Sequence, residues 1–489
     1  MKTDIRVFLA LLMMSCILAA GCILAAGCIQ PSIPKPAMSI SPPVTKTPTT
    51  ATPTTHSPAI SDKSVPVQST RDQIAFVDRA RVYAQENGKE RAIAEFNDPV
   101  GQFSVNGMYI FAGGYDGTAL AEPFKHEIVG KNILDITDPY GILFIRSLID
   151  TARKGKGLVS YGYRNSSLNN TIQPYVSYVT NVDSTYYIGA RLHENTGTEF
   201  PASARNIASK DITPGELVTF VHDAADYANK SGKDKALAAF NDPDGPFTNG
   251  EMYIIAYDFN ATNLAHPYTP WIRGLSLEHY TDQDSVATIS ELSGIARLGG
   301  GFAHTTQRIP SGEKQIYVPK LQYVLPINES WWIAASILNP DYTQLRSGNL
   351  AGIRVRNQTN EQLFALVNRA VQYEQQNGKE KTLDEISKPD GEFVNGDLAV
   401  WAETFDGVIL ADPFNKDMVG KSFLNYTDPY GEKTTVVGIA TIRNGTGFTH
   451  AMFPDAATGS VVHVPKLIYM KPVDDTWWIG SGIYGIQVR

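Results

Sequence analysis

The chain has 489 residues, 43% hydrophobic and 19% charged, with 42 Lys and Arg against 50 Asp and Glu, a formal charge of −8. That is an ordinary globular composition, and so mild an acidic balance leaves neither the clustered basic footprint that nucleic acid requires nor an attraction to anionic membrane surfaces. All three cysteines (Cys16, Cys22, Cys28) fall in the first 28 residues, so a disulfide framework, a thiolate metal site and a catalytic cysteine in the folded part are excluded together.

Those first residues read as a targeting segment, 1–28. Lys2 and Arg6 precede Val7 to Ile29, 23 residues without a charge, and Ile-Leu-Ala-Ala-Gly-Cys occurs there twice in tandem, at 17–22 and 23–28. Small residues before a Cys, after an apolar run, resemble the lipobox of prokaryotic lipoproteins, with Cys28 or Cys22 as the lipidated residue. The alternatives are an uncleaved anchor, since 23 apolar residues suffice to span a bilayer, and an ordinary cleaved signal. Each expects an extracytoplasmic chain, lipid-anchored to the cell membrane in the first case. A linker follows over 29–70; within 31–70, 24 of 40 residues are Pro, Thr or Ser. Such a stretch has too little apolar surface to repay its ordering entropy and reads as an extended spacer. Eight Asn-x-Ser/Thr sequons lie beyond it, including Asn165, Asn260, Asn328 and Asn425.

From about residue 71 the chain repeats itself. Phe103-Ser-Val-Asn-Gly-Met-Tyr…Ala119-Leu-Ala-Glu-Pro123 returns 144 residues later as Phe247-Thr-Asn-Gly-Glu-Met-Tyr…Asn263-Leu-Ala-His-Pro267. After 146 more it is Phe393-Val-Asn-Gly-Asp-Leu…Ile409-Leu-Ala-Asp-Pro413. This period far exceeds solenoid and propeller units of about 50 residues and matches a whole domain. The boundaries are set at 71–203, 213–345 and 357–489, each repeat expected to fold alone. Each opens with a helix whose apolar residues recur at three- and four-residue steps (Val218, Val221, Ala224, Ala225, Ala228 in the second) and which ends at Gly88, Gly232 or Gly378. A short helix runs to Phe96, Phe240 or Ile386. A β-hairpin turns at Asp116-Gly117, Asn260-Ala261 or Asp406-Gly407. A further helix ends in Arg153, Arg297 or Arg443. Two strands then close each copy, clearest at Trp331-Trp-Ile and Trp477-Trp-Ile. The expectation is an α+β fold, an antiparallel sheet with a long N-terminal helix and the helices on one side.

The run Asn249-Gly-Glu-Met-Tyr…Leu264-Ala-His-Pro, then Val318-Pro-Lys-Leu-Gln-Tyr323, then Trp331-Trp-Ile resembles the single Cache domain, second type. Val419-Gly-Lys421, Val464-Pro-Lys-Leu-Ile-Tyr469 and Trp477-Trp-Ile-Gly-Ser-Gly-Ile-Tyr484 repeat the pattern in the third copy. The resemblance implies three tandem PAS-like sensor domains outside the cytoplasm, each with a pocket on its sheet for a small molecule, typically a short organic anion. The copies differ at pocket positions. Glu122, His266 and Asp412 are equivalent, as are Tyr175, Lys320 and Lys466, and the second repeat reads Thr281-Asp-Gln-Asp-Ser285 where the others have Thr-Asp-Pro-Tyr-Gly.

A buried carboxylate needs a cation and donors, because an unpaired charge costs several kcal/mol. The ligand-binding candidates are therefore Arg297, Lys320 and His266 with Tyr257 and Tyr323 in the second repeat, Arg443, Lys466 and Tyr469 in the third, and Arg153 in the first. Against each stands a plainer reading. An Arg in a last helical turn is favoured by the macrodipole and needs no ligand; a Lys at a strand start is often exposed; His266 before Pro267 fits a turn. The Trp pairs fit alternating core and rim positions. Asp412 is expected to pair with Lys466 and fill the third site internally. The first repeat, with Glu122 and Tyr175, is expected to take a neutral or cationic ligand or none, and binding through a His266 imidazolium would fade above its pKa.

No nucleophile elbow, phosphate loop or His-Glu-x-x-His occurs, the nine histidines have no ligand spacing, and Gly480-Ser-Gly-Ile-Tyr-Gly485 lies in a strand with no helix after it. No catalytic residue, metal or cofactor is expected. The expected function is a tethered extracytoplasmic small-molecule binder of sensor type. The sequence shows no second span, kinase or methylation region after the repeats, so a separate transmembrane signalling or transport partner is expected. The competing reading is an envelope structural or adhesion protein that reuses the fold as a spacer.

Overall fold

The computed structural model describes residues 69–105, 107–165, 171–193, 212–311, 314–443, 447–455 and 462–488. All lie in the unit Ser64–Arg489. The targeting segment, Cys22 and Cys28, and the Pro/Thr/Ser linker up to residue 68 lie outside the described residues. Among the described residues no helix is long and apolar enough to cross a membrane.

Each repeat starts on a capping box. Ser69, Thr213 and Thr359 accept from the third helical residue, whose side chain (Asp72, Glu216, Gln362) returns the bond, so two orphan donors are satisfied at the helix start. The long helices Thr70–Asn87, Pro214–Ser231 and Asn360–Asn377 bury one stripe, Leu217, Val221, Ala224, Ala225 and Ala228 in the second. Gly88, Gly232 and Gly378 follow at φ near +80°, a conformation glycine adopts without a Cβ penalty. The chain thereby turns into the short helices Lys89–Phe96, Lys233–Phe240 and Lys379–Ile386.

After the hairpin comes the expected helix ending in an arginine, at Phe144–Arg153, Thr288–Arg297 and Thr434–Arg443. Three strands then follow, not the two read from the sequence. In the first repeat they are Lys156–Asn165, Thr171–Asn181 and Tyr186–His193. In the second they are Gly301–Ser311, Lys314–Asn328 and Trp331–Leu338, and in the third Phe448–Pro454, His463–Pro472 and Trp477–Tyr484. In the second repeat the first of the trio is hidden in the sequence because it carries a polar run (His304, Thr305, Thr306, Gln307) whose buried His304 meets Asp428 of the third repeat rather than an apolar layer. Helices also cover both faces rather than one. In the first repeat Leu158, Val176, Tyr178 and Ile188 pack on the long helix, while their alternate neighbours Val159, Tyr161, Tyr175 and Tyr187 pack on Phe144–Arg153, as the period of two requires. Trp331 and Trp332 divide likewise between the two core layers, both essentially buried.

The repeats are joined through backbone. The hairpin, closing and middle strands of the second and third repeats form one eleven-stranded sheet, in which Gly301–Ser311 pairs antiparallel with Phe448–Pro454 at His304↔His450. Ser276–His279 of the second repeat adds parallel to Lys156–Asn165 of the first, completing a six-stranded sheet. Tyr140 of the first repeat lies edge-on to Phe364 and Phe448 of the third, 5.4 and 5.9 Å between centroids.

Candidate functional site

The face of each sheet toward the second-half helix positions the candidate side chains, and the three copies differ there. In the first repeat this face and the loop before Phe144–Arg153 enclose a cavity of about 460 Å³. Phe111, Ile133, Phe144, Ile145, Leu148, Tyr161 and Tyr187 line it, and its charged lining is the Glu122–Arg191 pair together with Lys125, Asp138 and Arg164. Gly113 and Gly189 make room for the rings: a Cβ at either would stand 2.6 Å from Tyr187 or Phe111.

Arg191 lies on the closing strand opposite Ser177. Its Nη2 is 3.2 Å from Glu122 Oε2, and its guanidinium sits over the rings of Tyr109 (5.5 Å) and Phe111 (5.9 Å). Glu122 follows the hairpin strand Ala119–Ala121, its amide held by Asn97 Oδ1 at 3.1 Å. Arg191 Nε is buried without a hydrogen-bond partner among the described residues, a costly state in a dry site, while the Glu122 carboxylate also meets the Tyr109 hydroxyl. Burial pushes the Tyr175 hydroxyl to about 12 and those of Tyr109 and Tyr187 higher still, which keeps all three neutral donors. Arg191 was missed in the sequence. The available signal was one charged residue in Tyr-Tyr-Ile-Gly-Ala-Arg where the other copies have Ser336 and Gly482.

In the second repeat the structure brings His266 and Lys320 together. Asn241 Oδ1 accepts the His266 amide at 3.1 Å, the same device as in the first repeat, and His266 Nδ1 accepts the Thr269 amide at 3.1 Å. Burial, with the charge of Lys320, depresses the His266 imidazolium to about 3. His266 is therefore neutral, and the expected loss of binding near its ordinary pKa is corrected. Burial also lowers Lys320 to about 8, opposed by Glu251; Glu251 in turn meets Arg346 at 3.0 Å. Tyr253 lies 5.2 Å from the His266 ring and 5.0 Å from Tyr268. Tyr257 faces the same side, stacked on Trp332 at 5.1 Å.

Other expected members stand elsewhere. Tyr323 points to the opposite face, where its hydroxyl is 3.4 Å from His222 of the long helix; Tyr469 likewise packs among the residues of its long helix. One residue of register separates the faces. The arginines are hairpin clamps. Arg297 donates to the Phe259 carbonyl at 2.8 Å and lies over its ring, and Arg153 does the same with Tyr115. Arg443 covers Phe405 at 5.6 Å. This places Arg297 at the hairpin's tip and His266 at its open end, so the structure does not assemble the triad expected of Arg297, Lys320 and His266. In the third repeat Asp412 Oδ1 accepts the amides of Phe414 and Asn415 and does not reach Lys466, which lies over three aromatic rings.

The family model described as Single Cache domain 2 matches residues 67–188 and 222–339, and one described as Cache domain matches 352–487. A stretch of 83 residues is 36% identical to the sensor histidine kinase MctS of Rhizobium johnstonii, covering 16% of this chain and 17% of that protein. The fold is similar to a methyl-accepting chemotaxis protein of Vibrio parahaemolyticus (17% identity, 26% of this chain, 90% of that one, TM-score 0.23). It is also similar to the ligand-binding domain of the Pseudomonas fluorescens chemoreceptor CtaA in complex with L-isoleucine (14% identity, 55% of this chain, 84% of that one, TM-score 0.20). With both Cache models together spanning the three repeats, the chain belongs to the Cache-domain proteins.

Proposed function

We propose that this chain is a membrane-tethered, extracytoplasmic small-molecule-binding protein of sensor type that acts through a separate membrane partner. Cache domains are sensory ligand-binding domains rather than catalytic ones. The observation that carries the reading is the first repeat's cavity of about 460 Å³, within the range of small-ligand sites, with the buried Glu122–Arg191 pair in its wall and Arg191 Nε without a hydrogen-bond partner among the described residues. A mostly apolar chamber whose charged lining is Arg191, Lys125 and Arg164 with Glu122 and Asp138 suits a small zwitterion or an organic acid with an apolar body. Arg191 supplies the fork that a carboxylate fits, and Glu122 an acceptor for an ammonium or hydroxyl. The second repeat is the other anion site, with Lys320 as the charge and neutral His266 and Tyr253 as donors. The test is calorimetry of the mature chain against organic acids, amino acids and amines. Binding that vanishes in Arg191→Ala or Lys320→Ala supports the reading; no binding by any class contradicts it.

The spacer reading has one observation in its favour: the third repeat fills its own sheet face with Lys466. It predicts that no repeat gains thermal stability from any ligand in that screen.

A further inference from the structure

The same backbone position carries Tyr175, Lys320 and Lys466 in the three repeats, and only the third turns it into a complete host–guest contact. Lys466 Nζ lies 4.6 Å from the Tyr484 ring centroid, 4.8 Å from Trp401 and 5.1 Å from Phe453. Three ring faces around one ammonium make an aromatic cage, the arrangement by which proteins hold alkylammonium groups. The cage is built for this guest. At Gly482 a Cβ would stand 2.4 Å from Lys466 Cε and 3.1 Å from its Cγ, so glycine there opens the channel for the lysine stem. This is the position of Arg191 in the first repeat: the cation has moved from the closing strand to its neighbour, and the vacated position has lost its side chain. The walls are themselves supported. Phe453 stacks on Tyr426 at 16°, and Tyr426 bonds His463 at 2.9 Å.

Beside the cage lies a buried acid. Glu403, two residues after Trp401 on the same strand and therefore on the same face, is 3% exposed, and its carboxyl interacts with the side chains of Trp401, a wall of the cage, and Thr435. Burial holds its carboxyl up at about 8.

We propose that the third repeat carries an alkylammonium-binding site on its sheet face, closed in this structure by Lys466 as its built-in occupant. The site is independent of the anion sites of the first two repeats. An external alkylammonium would compete with the lysine, whose tether gives it a high effective concentration, so the unaltered chain binds weakly and removal of the lysine opens the cage.

The probe is tetramethylammonium chloride, titrated into the mature full chain by calorimetry with sodium chloride at equal ionic strength as the control. Lys466→Ala is expected to bind the probe at least about tenfold more tightly than the unaltered chain, and Lys466→Ala with Trp401→Ala to lose that gain. Equal affinity in Lys466→Ala and the unaltered chain overturns the proposal. Should Lys466→Ala fail to fold, the unaltered chain still decides. With its lysines reductively methylated with carbon-13, the Lys466 resonance is expected to sit upfield from ring currents and to return toward the free value as the probe saturates. A resonance that stays in place at saturating tetramethylammonium overturns the proposal as well.

Discussion

Lys320 illustrates how one side chain decides what a repeat is able to hold. With its ammonium depressed to about 8 by burial, it is charged at neutral pH and loses its proton just above it. In an Arg191→Ala chain, which silences the first cavity, anion binding to the second repeat is expected to be flat from pH 6 to 7.5 and to weaken through about pH 8 to 9. The depressed His266 contributes no step near 6.5. A calorimetric titration that instead falls between pH 6 and 7 would restore the imidazolium as the donor. Removing Lys320 should cost about 2–5 kcal/mol, the scale for losing one partner of a buried charge pair. The equivalences Glu122/His266/Asp412 and Tyr175/Lys320/Lys466 were legible because three aligned copies expose a position that varies within fixed surroundings. Arg191 was not, because a charge present in one copy looks like drift until the strand register shows it facing the cavity. The three helix-end arginines misled for the opposite reason: presence in every copy reflected a hairpin clamp common to every copy.

At the scale of elements, the junction of the second and third repeats is built from reciprocal side chains. Each first strand after the helix carries a histidine that reaches the aspartate of the other repeat's Thr-Asp loop. His304 Nε2 lies 2.5 Å from Asp428 Oδ2, and His450 Nε2 lies 2.6 Å from Asp282 Oδ2. Each aspartate uses its other oxygen on amides of its own loop. Glu432 accepts the His304 amide at 2.7 Å, and Glu291 accepts the hydroxyls of Thr441 and Thr449. His304→Ala leaves Asp428 buried with a lost partner and is expected to cost about 3–5 kcal/mol, read as a fall in urea midpoint at unchanged slope. A loss below 1 kcal/mol would mean that the pair does not hold the junction. The hairpins, capping boxes and helix ends were readable because local chemistry dictates them. The extra strand was not, since its burial depends on another repeat, and neither was the shared sheet, which revises the expectation that every repeat folds alone. A cut at residue 345 would strand His304 and Asp282 without their partners.

Over the whole molecule these buried acids set a direction for pH. Burial pushes Glu291 to about 7 and Glu403 to about 8, and holds Glu432 well above the usual carboxylate range. Unfolded glutamate titrates at roughly 4.3, so up to the folded values the native state holds more protons, and stability falls as pH rises. His450 acts in the same sense: burial opposes its charge, but Asp282 and Asp284 outweigh it and raise its pKa, so its contribution is lost as pH rises through the folded value. His266, with a depressed value, opposes these only below about 6.5, and Lys320, lowered to about 8, opposes them only above about 7 and as a single group against four. The Tm is therefore expected to fall between pH 6.5 and 8, and Glu403→Gln to flatten that slope by about one proton. A Tm that rises across this range contradicts the assignment. The tether is a separate matter of the same scale. A Cys22→Ser, Cys28→Ser chain is expected to leave the membrane fraction or keep its signal uncleaved, and mass spectrometry finding an unmodified N-terminus within residues 29–70 would refute lipidation.

The central claim, that the first repeat holds a small molecule between Arg191 and Glu122, is tested most directly by calorimetry of the mature chain with apolar amino acids and short organic acids. Saturable binding to the unaltered chain that weakens at least about thirtyfold in Arg191→Ala, the factor for roughly 2 kcal/mol, and is retained in Lys466→Ala is the predicted result. Binding unchanged by Arg191→Ala, or none to the unaltered chain from either class, would contradict it.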